Sequence, residues 1–274
     1  MNKLDTSERV AIIRALVEGC SVNSTCRLTG RSIHTVLRLL ADIGEACKAY
    51  HDDHVCQLLT KRVQCDETWN FCYCKQKNIP AEKRGQFGYG DVWTWVALDA
   101  DTKLIIAYLV GDRNARNAKD FMGDVAWRLC RKVQLTTDGL RVYLDAVDDA
   151  FGGDVDYAQL IKIYGAERPG EARYSPANII GIKSEEVCGT PEPRHVSTSF
   201  VERQNLTMRM QMRRFTRLTN GFSKKVENMK HAVALNFMYY NFCRVHSTIR
   251  ITPAMEAGLT DHVWEIEELV ALID

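Results

Sequence analysis

Asp66 in QCDETW, Asp138 in QLTTDG and Glu202 in SFVERQN are three acids set in separate stretches of ordered-looking sequence. Two divalent cations about 4 Å apart need shared carboxylate oxygens to offset their charge while they activate water and stabilise a leaving oxygen. Three acids brought together from distant elements would supply that. Each also fits a plainer role: Asp138 as a strand-ending turn residue and Glu202 as helix surface. Asp66 and Glu67 are neighbours on an expected strand, so alternation sends them to opposite faces and assigns only Asp66 to the cluster. Asp99 and Asp101 read as hairpin-turn residues, and Asp145, Asp148 and Asp149 recur at helical spacing as a solvated face.

The elements that must position these acids follow from residue texture. Residues 63–73, 92–98 and 104–110 are rich in Trp, Tyr, Val and Ile and read as strands, with a hairpin turn at 99–102. Residues 114–131 read as a helix, 133–137 as a short strand ending at Asp138, and the text through Phe151 as another helix. Residues 178–187 fit a further strand, the rest of 152–196 has no clear pattern, and long helices are expected over 199–217 and 223–246. Three antiparallel strands, a helix, and a strand laid beside the first open a ribonuclease-H-like sheet. The expected fold class is therefore α/β: a ribonuclease-H-like mixed sheet with flanking helices, preceded by a small all-α unit and followed by C-terminal helices. The loop KQKNIPAEKRGQFGYGD contains GQFGYG, but no strand leads into it and no GK[ST] follows, so it reads as a loop rather than a phosphate cradle.

The N-terminal unit has the helix-turn-helix pattern. Val10, Ile13, Leu16 and Val17 recur at helical spacing before Gly19, and residues 22–28 form a second short helix ending at Gly30. Ser32 can cap a third helix with Ile33, Val36, Leu37 and Leu40 inward. Arg31, His34, Thr35 and Arg38 are then left for base edges or phosphates, although a generic three-helix cap has the same periodicity. The expected organisation is 1–45 for this unit, 46–61 as connector, 62–222 as the central unit and 223–274 as a helical extension.

Charge is uneven along the chain. Net charge is +1, yet residues 203–250 carry ten Lys/Arg against one acid, Glu227, whereas 138–160 and 256–274 are acidic. Such a block suggests a local polyanion site, or else a basic helix compensated by the acidic tail. On a helix starting at Glu202, residues Asn205, Arg209 and Arg213 fall on one stripe, and Lys224 and Lys225 add cations beyond it. Met208 and Phe215 fall on the opposite, packing side.

With 274 residues, 46% apolar and 26% charged, the chain has the composition of an ordinary globular protein rather than a disordered one. The longest apolar run, 232–242, contains Asn236 and Asn241 and falls short of the roughly 20 residues that span a bilayer. The start MNKLDTSERV lacks a signal-peptide pattern, and ten cysteines occur with no CxxC pair, which fits a reducing, cytoplasmic setting. His51, His54, Cys72 and Cys74 have zinc-ligand chemistry, but C-x-C is a poor structural-zinc spacing. His195 and His246 read as hydrogen-bonded structural residues.

CDETW, the downstream TTDG, STSFVERQNLTMR, RRFTRLTNGFSK and YYNFCRVHSTIRITPAMEAG together resemble the DDE transposases of bacterial insertion sequences, most closely the insertion-sequence-one family. The likeness spans about residues 62–258 and is most specific from Ser197 to Gly258. It implies a ribonuclease-H-like catalytic core, Mg²⁺ dependence with Mn²⁺ as a substitute, and cleavage and strand transfer at element ends. By motif it makes Asp66, Asp138 and Glu202 the catalytic, metal-holding triad. The implied partners are double-stranded DNA at element ends and target sites, and further copies of the chain in a homodimer or higher oligomer on DNA. The implied location is the cytoplasm, at the nucleoid when DNA-bound. The sequence departs from that family in lacking an N-terminal CPxC motif and in a long Asp138–Glu202 gap. A DNA-binding protein that has lost the chemistry, or a ribonuclease-H-type nuclease, are the alternative functions.

Overall fold

The computed structural model describes residues 4–165, 178–216 and 219–274. Three helices come first: α1 (Thr6–Val17), α2 (Val22–Thr29) and α3 (Ile33–His54). Their starts are written in side-chain chemistry, because Asp5 and Glu8 form a capping box and Ser21 and Ser32 accept from Ser24 N and Thr35 N. Gly30 takes the left-handed turn at φ 68°, as its place after α2 requires. Ile33, expected inward, is 44% exposed, since it sits in the first turn of α3 before that helix reaches its neighbours.

The sheet contains β1 (Arg62–Cys72), β2 (Gly90–Asp99), β3 (Ile105–Gly111), β4 (Gln134–Asp138), β5 (Asp156–Tyr164) and β6 (Ile179–Cys188), in the order β3-β2-β1-β4-β5-β6. β1, β2 and β3 are antiparallel neighbours, β4 runs parallel to β1, β5 runs parallel to β4, and β6 returns antiparallel. This is a ribonuclease-H-like mixed sheet with one added strand. Helices α4 (Ala115–Trp127) and α5 (Val142–Phe151) follow β3 and β4, and α6 (Ser199–Gln211) follows β6. β5 was not legible in the residue pattern, because its outer half leaves the core: Ile163 and Tyr164 are 47% and 58% exposed, so no clean alternation marks it. At the β2–β3 turn, Asp99 Oδ1 accepts from Asp101 N and Thr102 N, as a turn aspartate does.

Helix α7 (Val226–Met238) continues as a π-helical turn over Tyr239–Cys243, and short α8 (Pro253–Glu256) and α9 (Ile266–Ala271) close the chain. Both long C-terminal helices are shorter than expected. α6 stops at Gln211 and gives way to a 3₁₀ turn over Arg213–Phe215, and Arg217, where the expected helix ended, lies outside the described residues. The largest correction concerns residues 46–61. They are not a connector over their first half, because α3 runs on to His54 with Cys47 and His51 buried in the common core. α3 lies along α7, and α1 packs on α9, so N- and C-terminal helices share one apolar core with the sheet.

The α3–α7 crossing depends on Gly44, where a Cβ would stand 2.4 Å from His231 Cβ and 2.6 Å from its Cα. Gly44→Ala is therefore expected to destabilise the fold by about 1–3 kcal/mol through overpacking against backbone. A urea midpoint equal to that of the parent chain would show that the two helices do not approach this closely.

Candidate active site

β4 pairs with β1 only from Arg62↔Gln134 to Cys65↔Thr137 and ends at Asp138. Beyond that point β1 continues alone on this side, and the space past the end of β4 is where the acids meet. One carboxylate oxygen each from Asp66, Glu67 and Asp138 lies within 4.8 Å of the others, and they are the one such group of possible metal ligands among the described residues. Glu67 thus joins the group, contrary to the strand-alternation expectation. Alternation separates neighbouring side chains inside a sheet, but where the adjoining strand stops nothing stands between the two faces.

Each acid is held from a different direction. Asn205 Nδ2 on α6 donates to Asp66 Oδ2 at 2.8 Å. Leu140 N donates to Asp138 Oδ1 at 3.0 Å, while Gln159 Nε2 on β5 donates to the Asp138 carbonyl at 3.0 Å. Arg113, just after β3, reaches Glu67 Oε2 with Nε at 3.1 Å and Asp138 Oδ2 with Nη2 at 3.5 Å, with its guanidinium over the Trp93 ring. The other oxygen of Glu67, Oε1, is buried, and the buried Tyr143 hydroxyl on α5 is the side-chain donor that favours the Glu67 carboxylate.

Glu202 stands beside this group rather than in it. It sits in the first turn of α6, accepts from Thr198 Oγ1, and lies 2.5 Å from Lys162 Nζ on β5. The placement of α6 comes from β1 itself: Gln64 Oε1 accepts from Phe200 N and Val201 N at 2.9 and 3.2 Å, so a strand side chain caps the helix that carries Glu202. Gln64, Glu67, Arg113 and Lys162 were not singled out by sequence. Only Glu67 had a legible signal, its adjacency to Asp66.

Clustered like charges in a partly dry site resist ionisation. Burial, followed by the Asp138 charge, raises the Asp66 carboxyl to about 6, and the same two causes raise Glu67 to about 8; burial also lifts Asp138. The site fits divalent cations on its own chemistry: three hard oxygen donors within 4.8 Å of one another, with charge repulsion that a cation would relieve.

The linkage has a definite sign. Folded-state values above the unfolded values of about 4 mean that between about pH 4 and 8 the folded chain holds more protons, so this cluster lowers stability as pH rises. Glu67→Gln removes one such group and should gain on the parent chain from pH 5 to 8 by up to roughly 1.4 kcal/mol per pH unit. Added Mn²⁺ should raise the melting temperature of the parent more at pH 8 than at pH 5.5, because the ligands must be deprotonated. Thermal unfolding at the two pH values checks both, and a larger Mn²⁺ effect at the lower pH would remove the cluster as a cation site.

The candidate DNA-contacting residues divide. His34 and Arg38 are exposed on the first turns of α3, while Thr35 is engaged with Ser32 in the helix cap and Arg31 pairs with Glu8. Asn205 is 5% exposed and spent on Asp66, so it is a support for that carboxylate and not a surface contact. Arg209 is half-buried, and Arg213 lies past the end of α6, so it leaves the Glu202 stripe. Met208 packs into the core on the face of α6 opposite Glu202, and Phe215 is also buried, but from the 3₁₀ turn beyond the end of that helix. Lys224 Nζ lies over the Phe222 ring, and Lys225 is exposed at the start of α7. His51 is buried against Ile105 O and Arg128, and His54 stacks on Tyr50, so neither joins Cys72 and Cys74 in a ligand group among the described residues. His195 Nδ1 accepts from Arg62 at 2.6 Å and His246 Nδ1 from Thr248 N at 3.3 Å, as structural histidines do.

No family model and no curated protein matches the chain. Among solved structures it is similar to the piggyBac transposase in a synaptic complex with hairpin DNA, at 10% identity and a TM-score of 0.41, over 99% of this chain and 71% of that one. It is also similar to the Mos1 transposase in a paired-end complex with the left transposon end, at 13% identity and a TM-score of 0.24, over 57% of this chain and 59% of that one. No helix among the described residues is long and apolar enough to cross a membrane.

Proposed function

We propose that the chain is a DDE-type DNA transposase, of the kind found in bacterial insertion sequences. The observation that carries this reading is the meeting of Asp66 and Asp138 at the open end of a ribonuclease-H-like sheet, with Glu202 beside them on a helix capped by the same strand. In this reading Asp66, Asp138 and Glu202 are the catalytic acids. With Glu67 alongside, they would hold Mg²⁺, with Mn²⁺ as a substitute. The cations supply Lewis acidity and a deprotonated water or hydroxyl for attack on a phosphodiester.

The chain's own groups set up that chemistry. Asn205 fixes the Asp66 carboxylate, Leu140 N and Gln159 fix Asp138, and Arg113 spans Glu67 and Asp138 as a counter-charge in the absence of other cations. Lys162 pairs with Glu202 and holds it at the rim, where the Glu202 charge acts on both Asp66 and Asp138. The exposed cations Arg213, Lys224 and Lys225, together with Arg209, belong to the basic segment that would follow the DNA backbone. The partners are double-stranded element ends and target DNA, with a homodimer or higher oligomer forming on them in the cytoplasm, at the nucleoid. Helices α1–α3 serve as the end-reading unit, the sheet with α4–α6 as the catalytic unit, and the helices from α7 onward as the extension that packs with α1 and α3.

Recognition is tested by point substitution rather than truncation, because α1 and α3 share their core with α7 and α9 and cutting them away would unfold it. His34→Ala and Arg38→Ala should each reduce discrimination between element-end and random duplexes, by about 1–3 kcal/mol for each base the side chain reads. Binding curves on the two duplexes check this, and an unchanged ratio in both variants would move recognition off α3. Incubation of the parent chain with Mg²⁺ and end DNA should give nicks at the repeat boundary, and their absence would overturn the transposase reading.

A further inference from the structure

Beyond Asp66 the edge of β1 that β4 leaves uncovered leads to a groove of about 820 Å³ that contains no carboxylate among the described residues. Its walls come from the end of β1 with the following loop, and from the segment just before α7. Lys75, Lys77 and Arg213 supply positive charge, and Phe71, Tyr73 and Phe222 supply rings. Phe71 and Phe222 lie with centroids 4.7 Å apart, and Trp69 continues the aromatic row back along β1 at 5.9 Å from Phe71.

The groove is a built feature. Tyr73 N donates to Ser223 O at 2.9 Å, Asn70 Nδ2 donates to Arg214 O at 2.9 Å, and Arg214 Nη1 donates to Ser223 Oγ at 3.0 Å, so both walls are tied together. Tyr73 is held at φ +65°, a left-handed conformation that disfavours a bulky residue, and this places its ring at the groove with 39% exposure. A non-glycine residue kept in that region by surrounding bonds points to a use for its side chain. Lys83 rests over the Tyr73 ring, with Nζ 4.1 Å from the centroid. The same ammonium lies 4.6 Å from the Tyr89 ring, which meets Tyr73 edge-on at 5.0 Å. Each exposed cation–π contact is worth at most about 5-fold in an equilibrium and stacking of a base roughly 5- to 100-fold, so a base competes with the ammonium for the Tyr73 face.

We propose that this groove binds an unpaired stretch of DNA strand running on from the acidic cluster, with a base stacked on Tyr73 and phosphates at Lys75, Lys77 and Arg213. Rings interleaved with cations and free of acids are what a single strand requires, since every base has a face to stack and every linkage a charge. At about 3.3 Å per strand residue, the seven residues from Asp66 to Tyr73 set the groove roughly 23 Å from the acids. The choice of DNA rests on the transposase reading, but the groove has its own readout.

The test is metal-free fluorescence anisotropy with the full chain, using a blunt duplex and the same duplex carrying an eight-nucleotide single-stranded extension. The extended probe should bind more tightly, and Tyr73→Gly should cut that preference roughly 5- to 100-fold while blunt-duplex affinity holds. Glycine accepts the left-handed backbone, so this variant removes the ring without straining the turn. The surface double variant Lys75→Gln, Lys77→Gln should lower the slope of log affinity against log salt on a single-stranded probe by roughly 0.7 for each phosphate no longer neutralised. Equal binding of the two probes, or a preference untouched by either variant, overturns the groove assignment. A chain that prefers the extension but never nicks end DNA with Mg²⁺ keeps the groove and loses the transposase reading; nicking without the preference does the reverse.

Discussion

Asp66→Asn and Asp138→Asn are each expected to reduce Mg²⁺-dependent nicking of element-end DNA on the order of 10³-fold or more, while binding to the same DNA stays within a few-fold. The swaps preserve shape and the hydrogen bonds from Asn205 and Leu140 can largely persist, but each deletes a formal charge from a group whose oxygens lie within 4.8 Å of one another. Folding should not suffer. Burial pushes both acids up, with the Asp138 charge adding to it at Asp66 and the Glu202 charge at Asp138, so neutral isosteres relieve a cost that the folded chain otherwise carries at pH 8. The expected variant is therefore inactive and at least as heat-stable as the parent in metal-free buffer. Parental nicking rates in the Asp66→Asn chain would remove that residue from the chemistry. Glu202→Gln belongs in the same series, and its effect separates a catalytic carboxylate from a mere partner of Lys162: in the latter case Lys162→Met would mimic it.

Truncating Arg128 should produce the largest loss of stability of any single change away from the acids. Its side chain is 2% exposed, and its guanidinium donates to Asp52 Oδ1 at 2.6 Å, Asp124 Oδ1 at 2.9 Å and the Val55 carbonyl at 2.8 Å. It also lies 3.3 Å from His51 Nδ1, which accepts because burial keeps that imidazole neutral while Nε2–H donates to Ile105 O. One fork thus fastens the end of α3 to the end of α4. Burial alone would raise Asp52, yet the hydrogen bonds and charges of Lys48 and Arg128 hold its carboxyl well below the usual range. Arg128→Ala leaves two carboxylates and a buried carbonyl without their donor and should cost about 3–5 kcal/mol. For a chain of this size that lowers the melting temperature by roughly 10 °C. Asp52→Asn alone should cost less, and the double variant should cost less than the two losses added, because the partners act together. A change under about 1 kcal/mol for Arg128→Ala would show that the α3–α4 junction does not depend on this fork.

Local chemistry was enough to read most of the elements. Ser32 caps the helix it was expected to cap and Asp138 ends the strand it was expected to end, and Asp5, Ser21 and Asn114 cap α1, α2 and α4 by the same local chemistry. These features are legible because the deciding contacts lie within four residues along the chain. The order of strands and helices as far as Phe151, the opening of a ribonuclease-H-like sheet, followed from the same signals, whereas β5 did not. What failed did so where distant contacts override local text. Residues 46–54 read as a connector because their charged residues hide the buried Cys47 and His51, whose helical state is fixed by packing on α7. The helix from Ser199 ends at Gln211, although its pattern ran on, because Arg214 and Phe215 are drawn into contacts with the end of β1 and the core.

The site shows the same division. Sequence placed Asp66 and Asp138 on strands and Glu202 on a helix, as the structure has them, which residue type and local pattern suffice to do. Only the tertiary structure decided that Glu67 meets Asp66 and Asp138 while Glu202 stands beside them, that Asn205 serves Asp66 instead of a phosphate, that Arg113 and Lys162 counter the charge, and that Gln64 caps α6. The physical reason is that a carboxylate's partners and protonation depend on where neighbouring strands end and on which side chains arrive from residues 40 to 140 positions away. Short-range sequence pattern carries no record of either.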